Sequence, residues 1–132
     1  AAKAVVKAVP ELEGKLTGNA IRVPVPNVSM AIMTLSLDKE TSKEDLNEFL
    51  RKIALHSNLQ NQINYTQSED AVSSDFVGSR EAGIVDSNAT IVNGKHCVLY
   101  LWYDNEFGYC CQVGRMVYKM AGVNYLSYPE EN

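Results

Sequence analysis

A strand that runs directly into a helix is the feature of this sequence that most constrains its fold. The segment Cys97–Tyr103 is an unbroken apolar run, typical of a strand buried on both faces. Beyond it, apolar residues recur at helical spacing: Phe107, Cys110, Cys111, Gly114, Val117 and Tyr118. Asp104 lies at the break, where its carboxylate can accept the unpaired amide hydrogens of a first helical turn. We therefore predict a helix from about Asn105 to Ala121 with Asp104 as its N-cap.

Asn105 follows this N-cap and is a candidate binding residue. Polar side chains at a strand-to-helix junction are held by rigid neighbours and often face a cleft. A carboxamide carries two donor hydrogens and an acceptor oxygen, so it can pair with another carboxamide. The alternative is that Asn105 only helps to cap the helix, and on spacing alone this is the more common role.

Composition excludes several classes of protein. The chain has 132 residues, of which 45% are hydrophobic and 21% charged, as expected for one globular domain. A net charge of −4 disfavours nucleic-acid binding, which needs a basic surface. No apolar run approaches the roughly 20 residues of a membrane span, and no signal peptide is recognisable. We predict a soluble protein with neither a nucleic-acid nor a membrane partner.

The cysteines and glycines limit the chemistry further. Three cysteines, two of them adjacent, do not form a disulfide framework, and no CxxC spacing is present for zinc. We therefore predict no metal site and a reducing compartment, the cytoplasm. GxGxxG and GxxxxGK[ST] motifs are absent, so the chain contains no self-contained nucleotide-binding core. Gly108 and Gly114 weaken the last helix, and their expected benefit is close approach of another backbone or of a flat ligand.

The remaining segments predict an α+β fold, with a mostly antiparallel (mixed) sheet and helices packed on one face. Residues 1–123 form the domain and residues 124–132 a flexible tail. A capping box at Thr41–Glu44 starts a helix that ends near His56. Asn93-Gly94 marks a hairpin turn. We expect a helix over Ala1–Val9 and strands over Leu16–Val25, Asn27–Leu37, Ile63–Tyr65, Gly83–Val92 and Lys95–Tyr103.

Two of these strands carry functional signals. The apolar pattern of Asn27–Leu37 changes phase midway, so both of its faces need cover, and a second subunit could cover one of them. Arg22 interrupts the apolar segment before it. Its guanidinium could be an exposed edge charge that blocks aggregation, or it could bind an anion such as phosphate.

The octapeptide Trp102–Tyr109 resembles a signature near the C-terminus of glyceraldehyde-3-phosphate dehydrogenases. Further segments resemble that family in the same order: Ala1–Val5, Leu16–Gly18, Arg22–Ser29 and Val72–Phe76. The resemblance implies the later part of the catalytic domain of an NAD- or NADP-dependent enzyme. That enzyme oxidises and phosphorylates glyceraldehyde 3-phosphate to 1,3-bisphosphoglycerate in glycolysis, usually as a cytoplasmic homotetramer.

The resemblance also assigns roles to individual residues. Arg22 matches the arginine that binds phosphate groups, Asn105 matches the asparagine that holds the nicotinamide carboxamide, and Tyr109 matches a supporting aromatic beside the nicotinamide. The family's nucleophilic cysteine, its partner histidine and its Rossmann domain lie upstream of this segment. No catalytic residue is therefore expected here, and the 132 residues alone should be inactive.

Two alternatives remain open at this stage. One is an erythrose-4-phosphate dehydrogenase, which the aromatic residues Tyr103, Phe107 and Tyr109 make less favoured. The other is a non-catalytic assembly or scaffold domain with the same fold.

Overall fold

The fold is seen in a computed structural model, which describes residues 2–124 and 126–129. These residues contain three α-helices and five strands, with two short 3-10 turns at Pro10–Leu12 and Ser73–Phe76. The elements are α1 (Ala2–Ala8), β1 (Ser29–Ser36), α2 (Lys43–His56), β2 (Ile63–Thr66), β3 (Gly83–Asp86), β4 (Ile91–Asn93), β5 (His96–Tyr103) and α3 (Phe107–Met120).

The strand β5 is the centre of one mixed sheet. Along one edge it pairs antiparallel with the whole of β1, from Ser29 opposite Tyr103 to Ser36 opposite His96. Along its other edge it pairs antiparallel with β3 near its end and with β4 near its start. The short β2 lies outside β3 and is parallel to it. The predicted α+β class with a mostly antiparallel sheet is therefore confirmed, and the apolar run that ends at Tyr103 is its central strand.

The predicted strand over Leu16–Val25 is wrong, because the structure shows irregular backbone there. Pro24 and Pro26 each lack the amide hydrogen that a ladder would use, and proline is poorly tolerated within a sheet. The Val25 amide instead donates to the Val23 carbonyl within the segment, at 2.9 Å. Arg22 therefore projects from an exposed irregular segment and not from a strand edge.

The predicted strand over Gly83–Val92 is divided in two by a turn at residues 87–90. The Asp86 carboxylate accepts the Ala89 amide at 3.3 Å, and the Thr90 hydroxyl donates to the Asp86 carbonyl at 3.4 Å. These side chains offer the backbone partners that compete with a sheet ladder. The hairpin that follows is confirmed, but its two turn residues are Gly94, at φ +61°, and Lys95, because Asn93 is still in β4 and pairs with His96.

The helix α2 begins one residue later than the predicted capping box implied. The cap is Ser42, whose hydroxyl accepts the Asp45 amide at 3.0 Å and donates to the Asp45 carboxylate at 2.8 Å. Thr41 and Glu44 are thus not the capping pair, although the helix ends at His56 as predicted.

A small aromatic core lies under the junction between β5 and α3. Val28, Phe76 and Ile84 are buried together, and Trp102 packs against them. The Phe76 and Trp102 rings stack with centroids 5.2 Å apart, and the Trp102 indole donates to the Asp86 carboxylate at 3.1 Å. The end of β5 is therefore held in place by this packing and by the hydrogen bond of Trp102.

Other apolar surface stays uncovered. On β1, Ile32 is 61% exposed and Met33 is 37% exposed, so the cover that its sequence pattern predicted is not supplied by the described residues. Of the predicted tail, residues 125 and 130–132 lie outside the described residues. Within the rest, the Tyr128 amide and carbonyl both hydrogen-bond to the Gln60 side chain, at 2.7 and 3.0 Å.

Candidate functional site

The junction after β5 is organised by the buried carboxylate of Asp104, which is only 2% exposed. Its Oδ1 accepts the amide hydrogens of Glu106 at 2.9 Å and Phe107 at 2.8 Å. Asp104 thus binds the amides at the start of α3, as predicted, but it is not the N-cap, because the N-cap residue is Glu106. The helix itself begins at Phe107, later than predicted.

The second oxygen of the same carboxylate reaches two other segments. Oδ2 accepts the Gly78 amide at 2.9 Å and the side-chain amide of Asn27 at 3.0 Å. Asp104 therefore ties the loop after Phe76 and the segment before β1 to the start of α3. None of these long-range contacts was predicted from the sequence, because Asn27 and Asp104 are separated by 77 positions.

These four hydrogen bonds set the charge of the carboxyl group. They lower the pKa of Asp104 to about 2, with the Gly78 amide as the largest cause, and the amides of Glu106, Phe107 and Asn27 adding to it. Desolvation by burial opposes this shift, but the donors outweigh it because they stabilise only the ionised form. Asp104 is therefore ionised at neutral pH, as expected for a carboxylate whose two oxygens accept all four hydrogen bonds.

Val28 adds a strained backbone to the same region. Its φ is +73°, a conformation that is unusual for any residue with a side chain and a clear outlier for a β-branched one. Such a conformation costs about 1–3 kcal/mol and persists only where neighbours over-determine it. Here the Val28 side chain is buried in the core, and hydrogen bonds hold both neighbours, Asn27 and Ser29.

Asn105 lies exposed beside this strained turn. Its Oδ1 accepts a hydrogen bond from the Ser29 hydroxyl at 3.0 Å. Among the described residues its Nδ2 has no hydrogen-bond partner. The helix amides go to Asp104 and not to Asn105, so the alternative that the Asn105 side chain serves as a cap is contradicted.

Gly108 permits the start of α3 to approach the loop before β3. A Cβ at this position would lie 2.9 Å from the Glu81 carbonyl oxygen and 3.2 Å from that of Ser79. The expected close approach of another backbone is therefore confirmed for Gly108. At Gly114 an added Cβ would meet nothing within 4 Å, so no backbone of the described residues approaches it, and the alternative of a flat ligand stays a prediction.

The other predicted site residues are all on the surface. Arg22 is exposed, and Tyr109 is 69% exposed on α3. Arg22 precedes Asn27 by five positions, and a chain of that length spans at most about 18 Å. Because Asn27 is bonded to Asp104, the Arg22 backbone is tethered within that distance of the junction.

The cysteines and potential metal ligands of the described residues form no further centre. Cys97 is buried in β5, and burial raises the pKa of its thiol, which makes it a poor nucleophile. Across residues 2–124 and 126–129, no group of three or more potential ligands is placed to hold a metal ion. In the same residues no helix is long and apolar enough to cross a membrane.

The fold and this junction define the class of protein: an α+β domain that presents an exposed carboxamide where its central strand meets a helix. Comparison with known proteins makes the assignment specific. A family model described as the C-terminal domain of glyceraldehyde 3-phosphate dehydrogenase matches residues 1–105. The chain therefore belongs to the glyceraldehyde-3-phosphate dehydrogenase family, as the sequence resemblance indicated.

Individual relatives extend the match beyond residue 105. A glyceraldehyde-3-phosphate dehydrogenase-like protein of Pseudomonas aeruginosa is 61% identical over 129 residues, covering 98% of this chain and 28% of the relative. The enzyme of Schistosoma mansoni is 45% identical over 95% of this chain and 37% of its own length. Glyceraldehyde-3-phosphate dehydrogenase 3 of Saccharomyces cerevisiae is 45% identical over 92% of this chain and 36% of its own length. The chain thus spans about a third of the length of these relatives.

Proposed function

We propose that this chain forms the C-terminal part of the catalytic domain of a phosphorylating, NAD- or NADP-dependent glyceraldehyde-3-phosphate dehydrogenase. In that role it supplies phosphate anchoring through Arg22 and nicotinamide orientation through Asn105. One observation carries this proposal: the Asp104 carboxylate binds Asn27, in the segment that follows Arg22, and directly precedes Asn105. A single buried group thereby tethers both binding segments.

The Arg22 side chain is suited to an anion. It is exposed, and among the described residues it forms no ion pair or hydrogen bond. A guanidinium fork matches the oxygens of a phosphate group and binds them through charge-assisted hydrogen bonds. Its segment is irregular and exposed, so the side chain is accessible to a ligand.

The residues at the junction fit a nicotinamide cofactor. Asn105 offers an exposed carboxamide, the group that pairs with the carboxamide of nicotinamide. Tyr109 lies four residues further along, in the first turn of α3, as a supporting aromatic surface. The bound cofactor supplies hydride acceptance. The nucleophilic cysteine, its partner histidine and most of the cofactor site would come from an upstream Rossmann domain and the segment that follows it.

Assembly and location follow from the same proposal. We infer a homotetramer, as is usual in the family, and the exposed Ile32 and Met33 on β1 are suitable contact residues for a second copy. A cytoplasmic location remains the prediction for an enzyme of glycolysis, although two relatives from Arabidopsis thaliana are described as chloroplastic.

The proposal can be tested in a chimera that carries this chain in place of the matching segment of the full-length Schistosoma mansoni enzyme. The chimera should produce NADH from glyceraldehyde 3-phosphate, phosphate and NAD, and the 132-residue chain alone should not. Arg22→Ala should weaken transition-state stabilisation by about 2–4 kcal/mol, measured as kcat/KM, because phosphate pairing is lost.

Lys39→Ala is the matched control, because Lys39 is also an exposed cation but lies beyond the other end of β1. It should leave kcat/KM within about twofold of the unsubstituted chimera. A folded chimera without activity would support a scaffold role instead. A higher kcat/KM for erythrose 4-phosphate than for glyceraldehyde 3-phosphate would support the related dehydrogenase.

A further inference from the structure

The hydrogen bond between Ser29 and Asn105 points to a second residue that acts at the cofactor. We propose that Ser29 is a positioning residue, which holds Oδ1 of the Asn105 carboxamide toward the protein and leaves Nδ2 facing outward. Asn105 would then meet the nicotinamide carboxamide as a hydrogen-bond donor to its oxygen. This inference rests on the proposed function, and it adds the polarity of the contact and the residue that sets it.

The Ser29 hydroxyl is well placed for this role. Ser29 is the first residue of β1 and pairs with Tyr103, so its side chain lies beside the residues that follow β5. Its Oγ donates to Asn105 Oδ1 at 3.0 Å, although the two residues are 76 positions apart. The oxygen of the carboxamide is therefore engaged inside the chain, and its amide group is the part that remains for a ligand.

The backbone that carries Ser29 is fixed at three consecutive residues. Asn27 donates to the Asp104 carboxylate at 3.0 Å, the Val28 side chain is buried in the core, and Ser29 binds Asn105. The positive φ of Val28 lies between these anchors and sets the direction in which β1 begins. A strained residue held on both sides is a feature of sites where geometry must be kept.

Removing the hydroxyl should release the carboxamide. Its two orientations, related by a half-turn about the Cβ–Cγ bond, present opposite hydrogen-bonding groups to a ligand. Without Ser29 both orientations become accessible, and the bound nicotinamide is held less well for hydride transfer. We expect Ser29→Ala to slow single-turnover NADH formation by about three- to tenfold, the range of one net hydrogen bond.

Ser36→Ala provides the matched control for this substitution. Ser36 ends the same strand, and its hydroxyl is also hydrogen-bonded to a side chain of β5, the His96 ring at 3.1 Å. It lies at the opposite end of the sheet from Asn105. In the chimera described above, Ser36→Ala should leave the rate of NADH formation unchanged, whereas Ser29→Thr, which keeps a hydroxyl, should restore most of the rate.

A double substitution tests whether Ser29 acts through Asn105. Asn105→Ala should slow single-turnover NADH formation, and adding Ser29→Ala to it should cause less than about a twofold further change. KM for glyceraldehyde 3-phosphate should stay constant in the Ser29 variants, because the substrate phosphate is bound elsewhere. A merely structural role for Ser29 would instead give multiplied effects in the double variant.

The polarity of the contact can be read with the 3-acetylpyridine analogue of NAD, which keeps the carbonyl oxygen and replaces the amide group by a methyl group. If Asn105 donates to the carbonyl oxygen, Ser29→Ala and Asn105→Ala should slow reduction of the analogue by the same factors as reduction of NAD. If Asn105 instead accepts a hydrogen bond from the amide group of NAD, that bond is absent with the analogue. The two substitutions should then leave the rate of analogue reduction nearly unchanged, which would overturn the proposed polarity.

The outcomes separate this inference from the proposed function. A slow Asn105→Ala variant together with a Ser29→Ala variant as fast as Ser36→Ala would overturn the role of Ser29 and leave the proposed function intact. Unchanged rates in both Asn105→Ala and Arg22→Ala would overturn the proposed function itself.

Discussion

The close contact at Gly108 gives a prediction whose sign is opposite to that of ordinary helix propensity. Gly108 is buried near the start of α3, against the carbonyl oxygens of Glu81 and Ser79. A Cβ placed there would lie 2.9 and 3.2 Å from these oxygens, closer than normal van der Waals contact. Both are backbone atoms, and the loop is held near Gly78 by the Asp104 carboxylate, so they cannot move aside freely.

The size of the effect follows from two opposing terms. Replacing a helical glycine by alanine stabilises a helix by at most about 1 kcal/mol. Overpacking against fixed neighbours destabilises by about 1–3 kcal/mol. Gly108→Ala should therefore lower the free energy of unfolding by about 1–2 kcal/mol. Gly114→Ala, whose added Cβ meets nothing within 4 Å, should raise it by up to about 1 kcal/mol.

Urea denaturation of the chain measures this difference directly, with the fluorescence of its single tryptophan as the signal. Trp102 stacks on Phe76 in the core, so its emission should change on unfolding. The two variants should differ by about 1–3 kcal/mol, or roughly 3–15 °C in thermal midpoint. If Gly108→Ala proved as stable as Gly114→Ala, the contact between α3 and the loop would be refuted, and with it the packing of the junction.

Two further predictions concern acid stability and assembly. Because the folded-state pKa of Asp104 is lowered to about 2, ionisation of this group stabilises the fold above its ordinary pKa near 3.8, and the stabilisation is lost as the pH falls toward 2. Asp104→Asn should remove this part of the acid dependence and lower stability at neutral pH. The measurement is urea denaturation from pH 7 to 2, and a stability profile parallel to that of the unsubstituted chain would contradict the prediction. Ile32→Asp on the exposed face of β1 should weaken self-association of the chimera in sedimentation velocity, whereas the same change at Val72, which is 53% exposed outside the sheet, should not; equal effects would argue against β1 as a contact surface.

Local patterns in the sequence determined much of the fold. The apolar run before Asp104 and the helical spacing after it predicted the observed strand and helix, and the Asn93-Gly94 pair predicted the hairpin, although its turn lies one residue later. The family resemblance assigned candidate roles to Arg22, Asn105 and Tyr109. Failures came where prolines removed the donors of a strand near Arg22, and where the Asp86 side chain and the Thr90 hydroxyl formed a turn in place of a continuous strand.

Only the tertiary structure showed how the candidate site is held. The sequence predicted only that Asp104 contacts the start of the helix after it. In the structure its second carboxylate oxygen also binds Asn27 and Gly78, and Ser29 hydrogen-bonds to Asn105, 76 positions away. No sequence pattern predicted the positive φ of Val28, because valine normally avoids that conformation. Capping and turns depend on a few adjacent residues, whereas these contacts depend on the β1–β5 register, which brings distant residues side by side only when the sheet is complete.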